Sequence, residues 1–252
     1  MGNEEKVYQN NKFQWIVLII LVLAWVVRLV IENIASRTIQ INFSYLFIFS
    51  IVFLLYYLIG KVSPIKLFEI SGVKKPKALD LVLYSVGFTA IALAICSLML
   101  PEILNIKANE VLKITGYYSR YDRYSIMSMT TSKLLIIVSL AAFYVYQTFF
   151  EELIFRGIIL RKLLSKFNVL ISNIIHAIIF GSVHIFSALM LTNLPTNMKI
   201  FMLVSPTIGG LLLGYAYAKT DNNLTVPWLL HFLVNLMPDL LLVIFNITIM
   251  PT

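Results

Sequence analysis

The chain has 252 residues, of which 60% are hydrophobic and only 13% are charged. This composition excludes an ordinary soluble domain, in which about a quarter of the residues are charged, and indicates a polytopic membrane protein. The formal net charge of +8 does not indicate a nucleic-acid partner, because the lysines and arginines lie between apolar runs and not on one basic face. We therefore expect membrane lipids, and no nucleic acid, among the partners.

Long apolar runs recur along the chain. A helix needs roughly 20 mostly apolar residues to cross the hydrocarbon of a bilayer. We predict an all-α integral membrane protein with about seven transmembrane helices, at approximately 14–32, 43–60, 79–100, 133–160, 168–190, 199–218 and 225–247. No small-residue cleavage site follows the first run, which predicts a retained span instead of a signal peptide. The lysine-rich connections place the N-terminus in the cytoplasm of a multi-pass protein of the cell membrane.

The chain divides into two regions of one membrane domain. Residues 1–132 are predicted to hold the N-terminal spans, an inner interfacial turn of helix from Pro64 to Pro76, and an outer polar loop at 102–132. Residues 133–252 are predicted to form a helical core, which carries most of the residues considered below.

Small residues and a polar turn mark the end of the sixth run. Gly210 and Gly214 are spaced i,i+4, which favours the close approach of another helix. The following segment KTDNNLTVPW predicts a turn, and Pro227 suits the first turn of the last helix, where the missing N–H would have no helical partner.

Two adjacent carboxylates, Glu151 and Glu152, lie inside the apolar run FYVYQTFFEELIFRGIIL. A charged side chain at mid-bilayer costs at least ~2.5–3.5 kcal/mol, so an acidic pair at that depth indicates a functional site. Glu152 and Arg156 are spaced i,i+4, and an ion pair between them would lower the cost of burying both charges. Glu151 lies about 100° around the helix from its neighbour and can therefore have a different role.

Two later runs carry histidines. Phe180 and His184 share a face of the fifth run, and His231 and Asn235 share a face of the last. A carboxylate that takes a proton from water, an imidazole that holds it, and donors for an oxyanion are the groups that peptide hydrolysis needs. Three helices could present these groups to one intramembrane cavity. No GxSxG or HExxH sequence is present, which disfavours a serine hydrolase and a soluble-type zinc protease. His176 is expected near the membrane interface.

The motifs resemble those of the CPBP family, the CAAX-processing and bacteriocin-processing intramembrane proteases also called Abi. EELIFR matches the family's EExxxR motif, FGSVH matches FxxxH, and HFLVN matches HxxxN, in that order and over roughly residues 133–247. The resemblance implies that residues 133–252 form a CPBP-type catalytic core. It also implies that Glu152 and Arg156 support the site.

The resemblance assigns roles to the remaining motif residues. It implies that Glu151 activates the attacking water with the assistance of His184, and that His231 and Asn235 stabilise the oxyanion. A carboxylate and two imidazoles could also form a three-ligand catalytic zinc site with one open position. Glu151, His184 and His231 are therefore possible ligands of a divalent metal such as zinc, and a metal-independent glutamate mechanism is equally compatible with the sequence.

These features predict an intramembrane endopeptidase that hydrolyses a small peptide or a lipidated peptide without an acyl-enzyme. The compact chain favours a bacterial plasma membrane and a leader-bearing pheromone or bacteriocin precursor over a prenylated CAAX peptide, by analogy only. One alternative is a non-catalytic bacteriocin immunity protein that binds its peptide. Another is a transporter with a carboxylate proton relay, although the internal repeats typical of transporters are missing from the sequence.

Overall fold

The computed structural model describes residues 62–103, 133–190 and 196–244, together with single positions between 16 and 23 and between 51 and 58. Every regular element within these residues is a helix, which confirms the predicted all-α class. The runs predicted at 14–32 and 43–60, and the outer loop predicted at 102–132, lie almost entirely outside the described residues.

The first helix of the described ranges corresponds to the predicted interfacial turn of helix, and the others correspond to the later predicted runs. They are α1 (Pro64–Ser71), α2 (Ala78–Ile103), α3 (Lys133–Glu152), a π-helical segment (Leu153–Leu160), α4 (Arg161–Leu164), α5 (Val169–Met190), α6 (Thr196–Lys219) and α7 (Thr225–Ile244).

One helix in the described part of the chain, the continuous stretch Lys133–Leu164, is long and apolar enough to cross a membrane. Shorter apolar helices cover Ala78–Ile91, Val169–His184 and Thr225–Met237. The count of about seven spans stays a prediction.

The chain folds into two compact units. The first comprises Met1–Lys75 and Phe150–Pro227, and the second comprises Pro76–Phe149 and Trp228–Thr252. The boundary passes through α3 and α7, so the EExxxR and FxxxH motifs lie in the first unit and the HxxxN motif lies in the second. The predicted regions 1–132 and 133–252 stay a prediction.

In the first unit, α5 and α6 pack closely through small residues. A side-chain carbon built on Gly210 would come within 3.2 Å of the Cα of Ala177. One built on Gly214 would collide with the side chain of Asn173 and come 3.1 Å from Nδ1 of His176. The helices can approach this closely only because neither glycine carries a Cβ, which confirms the packing predicted from their spacing.

Helix α1 has a capping residue at each end. Ser63 caps the N-terminus by accepting the N–H of Lys66 at 3.3 Å, and Pro64 occupies the first turn. Gly72 ends the helix in the left-handed region at φ 94°, a conformation that glycine adopts without strain. The predicted turn of helix is confirmed, and its place at the membrane interface stays a prediction.

Helix α1 is an integral part of the first unit. Leu67 and Ser71 are fully buried. The backbone carbonyl of Ser71 accepts a hydrogen bond from the hydroxyl of Tyr217 at 3.2 Å, and a side-chain carbon on Gly157 would come within 2.8 Å of the Cβ of Ser71. These contacts hold α1 against the π-helical segment and the end of α6.

The turn before α7 follows the sequence pattern. Asp221 and Asn222 both have φ 56°, in the left-handed region that Asp and Asn tolerate better than most residues. Helix α7 begins at Thr225, with Pro227 in its first turn as predicted.

In the second unit, α3 and α7 pack against each other. Leu140 and Tyr144 are buried on α3, and Phe232 and Leu236 of α7 pack against them. The indole N–H of Trp228 donates to the carbonyl of Val145 at 3.2 Å. This bond anchors the start of the second unit's part of α7.

Candidate active site

The EExxxR motif lies where the backbone leaves α-helical geometry. Helix α3 ends at Glu152, and Leu153–Leu160 form a π-helical segment whose residues are all buried. Its wider turn is visible at the C-terminal end, where the N–H of Arg161 donates to the carbonyl of Arg156. π-Helical turns are rare and occur frequently at functional sites. The hydrophobic periodicity carries no signal for this segment, and the sequence analysis missed it.

The first motif is held together by an ion pair. The Nη1 of Arg156 donates to Oε1 of Glu152 at 2.7 Å, and both side chains are fully buried. This confirms the predicted pair. A charge-assisted hydrogen bond of this length is among the stronger polar contacts in proteins. Glu151, the preceding residue, is also buried, with 5% of its surface exposed.

The guanidinium of Arg156 also connects the first motif to the second. Its Cζ lies 4.4 Å from the centroid of the Phe180 ring, within the range of a cation–π interaction. The ring of Phe155 meets Phe180 edge-on at 4.9 Å. Phe180 therefore contacts a charged side chain and an aromatic side chain of the π-helical segment, and the EExxxR and FxxxH motifs are in direct contact.

His184 lies one turn further along α5. Its ring centroid is 4.9 Å from that of Phe180, which confirms the predicted pairing, and its Nδ1 lies 2.9 Å from the backbone carbonyl of Phe180. A carbonyl oxygen can only accept, so this hydrogen bond requires the proton on Nδ1. In the neutral ring Nε2 is then the basic nitrogen.

His176 lies inside the first unit. Its side chain is fully buried there, and its expected place near the membrane interface stays a prediction. The imidazole stacks on Phe180 with an interplanar angle of 18° and meets the ring of Phe155 edge-on. Close packing of α5 against Gly214 of α6 and against the π-helical segment buries it. The sequence analysis missed this residue as a neighbour of the motifs, although it precedes Phe180 by one helical turn.

His231 and Asn235 lie on α7, in the second unit. His231 is 8% exposed and Asn235 is half-buried. Trp228, one turn before His231, contacts the ring of Phe149 edge-on at 5.2 Å as well as the carbonyl of Val145. The N-terminal half of α7, which carries the HxxxN motif, is thus anchored to α3 within the second unit.

The residues 62–103, 133–190 and 196–244 contain no group of three His, Cys, Asp or Glu side chains arranged to hold a metal ion.

Comparison with known proteins gives one match. Residues 133–237 match the family described as type II CAAX prenyl endopeptidase Rce1-like. The match covers all six predicted site residues and confirms the family that the motifs indicated. No curated protein and no solved structure matches the chain.

Proposed function

Since residues 133–237 belong to the Rce1-like family of type II CAAX prenyl endopeptidases, we propose that the protein is an intramembrane endopeptidase that hydrolyses a peptide bond by activating water. Its substrate class is a short peptide, either one with a prenylated C-terminus or one with a leader segment. Membership of a membrane-embedded protease family also supports the assignment of the chain to the membrane.

The observation that carries this proposal is the contact between the first two motifs. Glu152, Arg156 and Phe180 form one buried unit of ion pair and aromatic ring. Burying an ion pair is costly, and removing it in favour of apolar residues is often neutral or stabilising. We infer that this pair serves to position its neighbours, which are Glu151, next to Glu152 in the chain, and His184, whose ring contacts Phe180.

The proposed reaction uses Glu151 as general base. Its carboxylate removes a proton from water, and the water oxygen forms a bond to the carbonyl carbon of the scissile peptide. The C–N bond then breaks and the leaving nitrogen takes the proton, so one water is consumed and an acid and an amine are formed. His184, with its proton on Nδ1, assists through Nε2. In this proposal the side chains of His231 and Asn235 donate to the developing oxyanion.

The proposal extends the prediction of topology. We propose about seven spans and a cytoplasmic N-terminus, because most lysines and arginines lie in the connections predicted to be cytoplasmic, with the segment 102–132 as the exception. A bacterial plasma membrane is proposed by analogy only. Fusions of a reporter enzyme after each predicted connection test this topology. An active cytoplasmic reporter on the segment 102–132 would contradict it.

The deciding experiment is a cleavage assay on purified protein in detergent. A prenylated CAAX peptide and a leader-bearing peptide are incubated with wild type, Glu151→Gln and His184→Ala, and the products are identified by mass spectrometry. Glu69→Gln is the matched control, since it changes an exposed acid of the first unit in the same way. We expect cleavage by wild type and by the control, and none by the two motif variants.

Other outcomes would overturn the proposal. If wild type cleaves neither peptide but binds one of them, and Glu151→Gln binds as well, the protein is a peptide-binding immunity factor. If both motif variants retain cleavage, the assigned roles are wrong. Repeating the assay with a chelator decides whether a metal takes part, because only a metal-dependent enzyme loses activity.

A further inference from the structure

A set of buried polar atoms lies behind the motif contact. Both ring nitrogens of His176, Oδ1 of Asn173, and Nε and Nη2 of Arg156 are buried and have no hydrogen-bonding partner among the described residues. The other end of the Asn173 amide is held in place, because its Nδ2 donates to the carbonyl of Leu211 at 2.8 Å. The orientation of this side chain is therefore set by α6.

These side chains meet at two neighbouring places, the backbone of Gly214 and the ring of Phe180. A side-chain carbon on Gly214 would meet both Oδ1 of Asn173 and Nδ1 of His176, so these two atoms point toward the same bare stretch of backbone. His176 and Arg156 share a second contact, since both pack on the ring of Phe180. The three side chains thus form one polar cluster, centred on His176.

The donors and acceptors of this cluster are complementary. Arg156 offers N–H donors, Asn173 offers an acceptor, and a neutral imidazole offers one of each. Buried polar atoms without partners cost free energy, and buried water molecules typically satisfy such groups by making about three hydrogen bonds. An anion is disfavoured, because Glu152 already neutralises Arg156. A cation is disfavoured by Arg156 itself.

We propose that Asn173, His176 and Arg156 hold a buried water beside Gly214, and that His176 is a positioning residue for Arg156. This inference rests on the proposed protease function in one respect, namely that the position of Arg156 matters for cleavage. Glu152 and Phe180 hold one side of the Arg156 guanidinium. In this proposal the water and the imidazole of His176 hold the opposite side. His176 then acts on Glu151 and His184 only through Arg156.

The test compares two replacements of His176 with a control. His176→Phe keeps a ring of similar size but removes both nitrogens, whereas His176→Gln keeps one donor and one acceptor. Ser172→Ala is the matched control, because Ser172 is a fully buried polar residue of the same helix whose hydroxyl bonds locally to the carbonyl of Phe167. For each variant, the midpoint of thermal unfolding in detergent is measured, and kcat and KM are measured separately on the cleaved peptide.

We expect His176→Phe to unfold at a lower temperature and to lose roughly tenfold in kcat with little change in KM. His176→Gln should recover part of both, and Ser172→Ala should leave kcat unchanged. A kcat of His176→Phe equal to that of wild type would contradict the positioning role. If His176→Phe does not fold, His176→Leu, which also lacks both ring nitrogens, takes its place in this comparison. An unfolding midpoint of His176→Phe at or above that of wild type would overturn the water site, since removing truly unsatisfied nitrogens should not destabilise the protein.

A high-resolution structure of the purified protein tests the water directly. Ordered density beside Gly214, within hydrogen-bonding distance of at least two of the three side chains, is expected, and an apolar or empty contact there would contradict the proposal. A failure of the protease proposal can be distinguished from a failure of the proposed water site. A wild type without protease activity removes the catalytic proposal, while the unfolding midpoints and the density still decide the water site.

Discussion

Arg156 and Phe180 are in contact, with the guanidinium carbon 4.4 Å from the centroid of the ring. Each residue belongs to a different motif, one in the π-helical segment and one on α5. The same guanidinium donates to Glu152 at 2.7 Å, so a single side chain connects the acidic motif to the helix of His184.

The buried ion pair should be much more sensitive to substitution than an exposed one. Arg156→Met or Glu152→Leu leaves one charge buried without its partner, and we expect each to cost about 3–5 kcal/mol of the free energy of unfolding. The double variant should be more stable than either single variant, because it removes both charges. Unfolding in denaturant, followed by tryptophan fluorescence in detergent, measures these differences.

The matched control for this cycle is the exposed pair of Lys66 and Glu69, at 3.1 Å. Glu69→Gln should change the stability by less than about 1 kcal/mol, as for other surface pairs. If the buried and exposed pairs gave equal losses, the burial of Arg156 would not be the cause of its importance.

The ring of Phe180 should matter for activity as well as for stability. Phe180→Leu keeps an apolar side chain but removes the face that Arg156 contacts, and we expect a loss of about 1–2 kcal/mol in stability together with a lower kcat. Phe143→Leu is the control, because that ring packs edge-on against Tyr144 in the second unit. Equal kcat values for the two variants would show that the cation–π contact has no part in the reaction.

Two glycines of α6 should respond in opposite ways to the same substitution. Gly214→Ala brings a methyl group against Asn173 and His176, so we expect a loss of stability. Gly209→Ala meets no atom of the described residues within 4 Å and should stabilise the helix by up to about 1 kcal/mol, because alanine has the better helix propensity. Thermal unfolding of both variants in the same detergent measures the contrast, and a neutral Gly214→Ala would argue against the close approach of α5 and α6.

One hydrogen bond contributes to the anchor of α7 in the second unit. Trp228→Phe removes the N–H that donates to the carbonyl of Val145 at 3.2 Å but retains a ring against Phe149. We expect it to cost about 1 kcal/mol, the net value of a typical hydrogen bond. Hydrogen exchange of the amides in α7 measures this locally. Unchanged protection of the backbone around His231 would mean that the bond does not hold this part of the helix.

Composition and residue spacing were sufficient to predict the helices and several of the contacts. Spacing along a helix predicted the ion pair of Glu152 with Arg156 and the ring contact of Phe180 with His184, because residues four apart share a face whatever surrounds them. Composition predicted the all-α class. The glycine spacing predicted close helix packing, and the motifs predicted the family.

Contacts between distant segments were beyond these rules. The spacing within a motif says nothing about which helix lies opposite, so the contact of Arg156 with Phe180 could not be read from either motif. The π-helical segment was missed because its wider turn leaves no mark on the hydrophobic pattern. The burial of His176 was missed because its position on its own helix does not reveal that Gly214 lies beside it.

The sequence by itself determined which side chains share a helix face, since that depends only on the rise and rotation of a regular helix. Only the tertiary structure decided that the guanidinium of Arg156 lies on the ring of Phe180, and that Asn173 and His176 face a bare glycine. The reason is physical: such contacts depend on which helices pack together and how closely, and many weak apolar contacts determine this jointly, so that no single pair of residues encodes it.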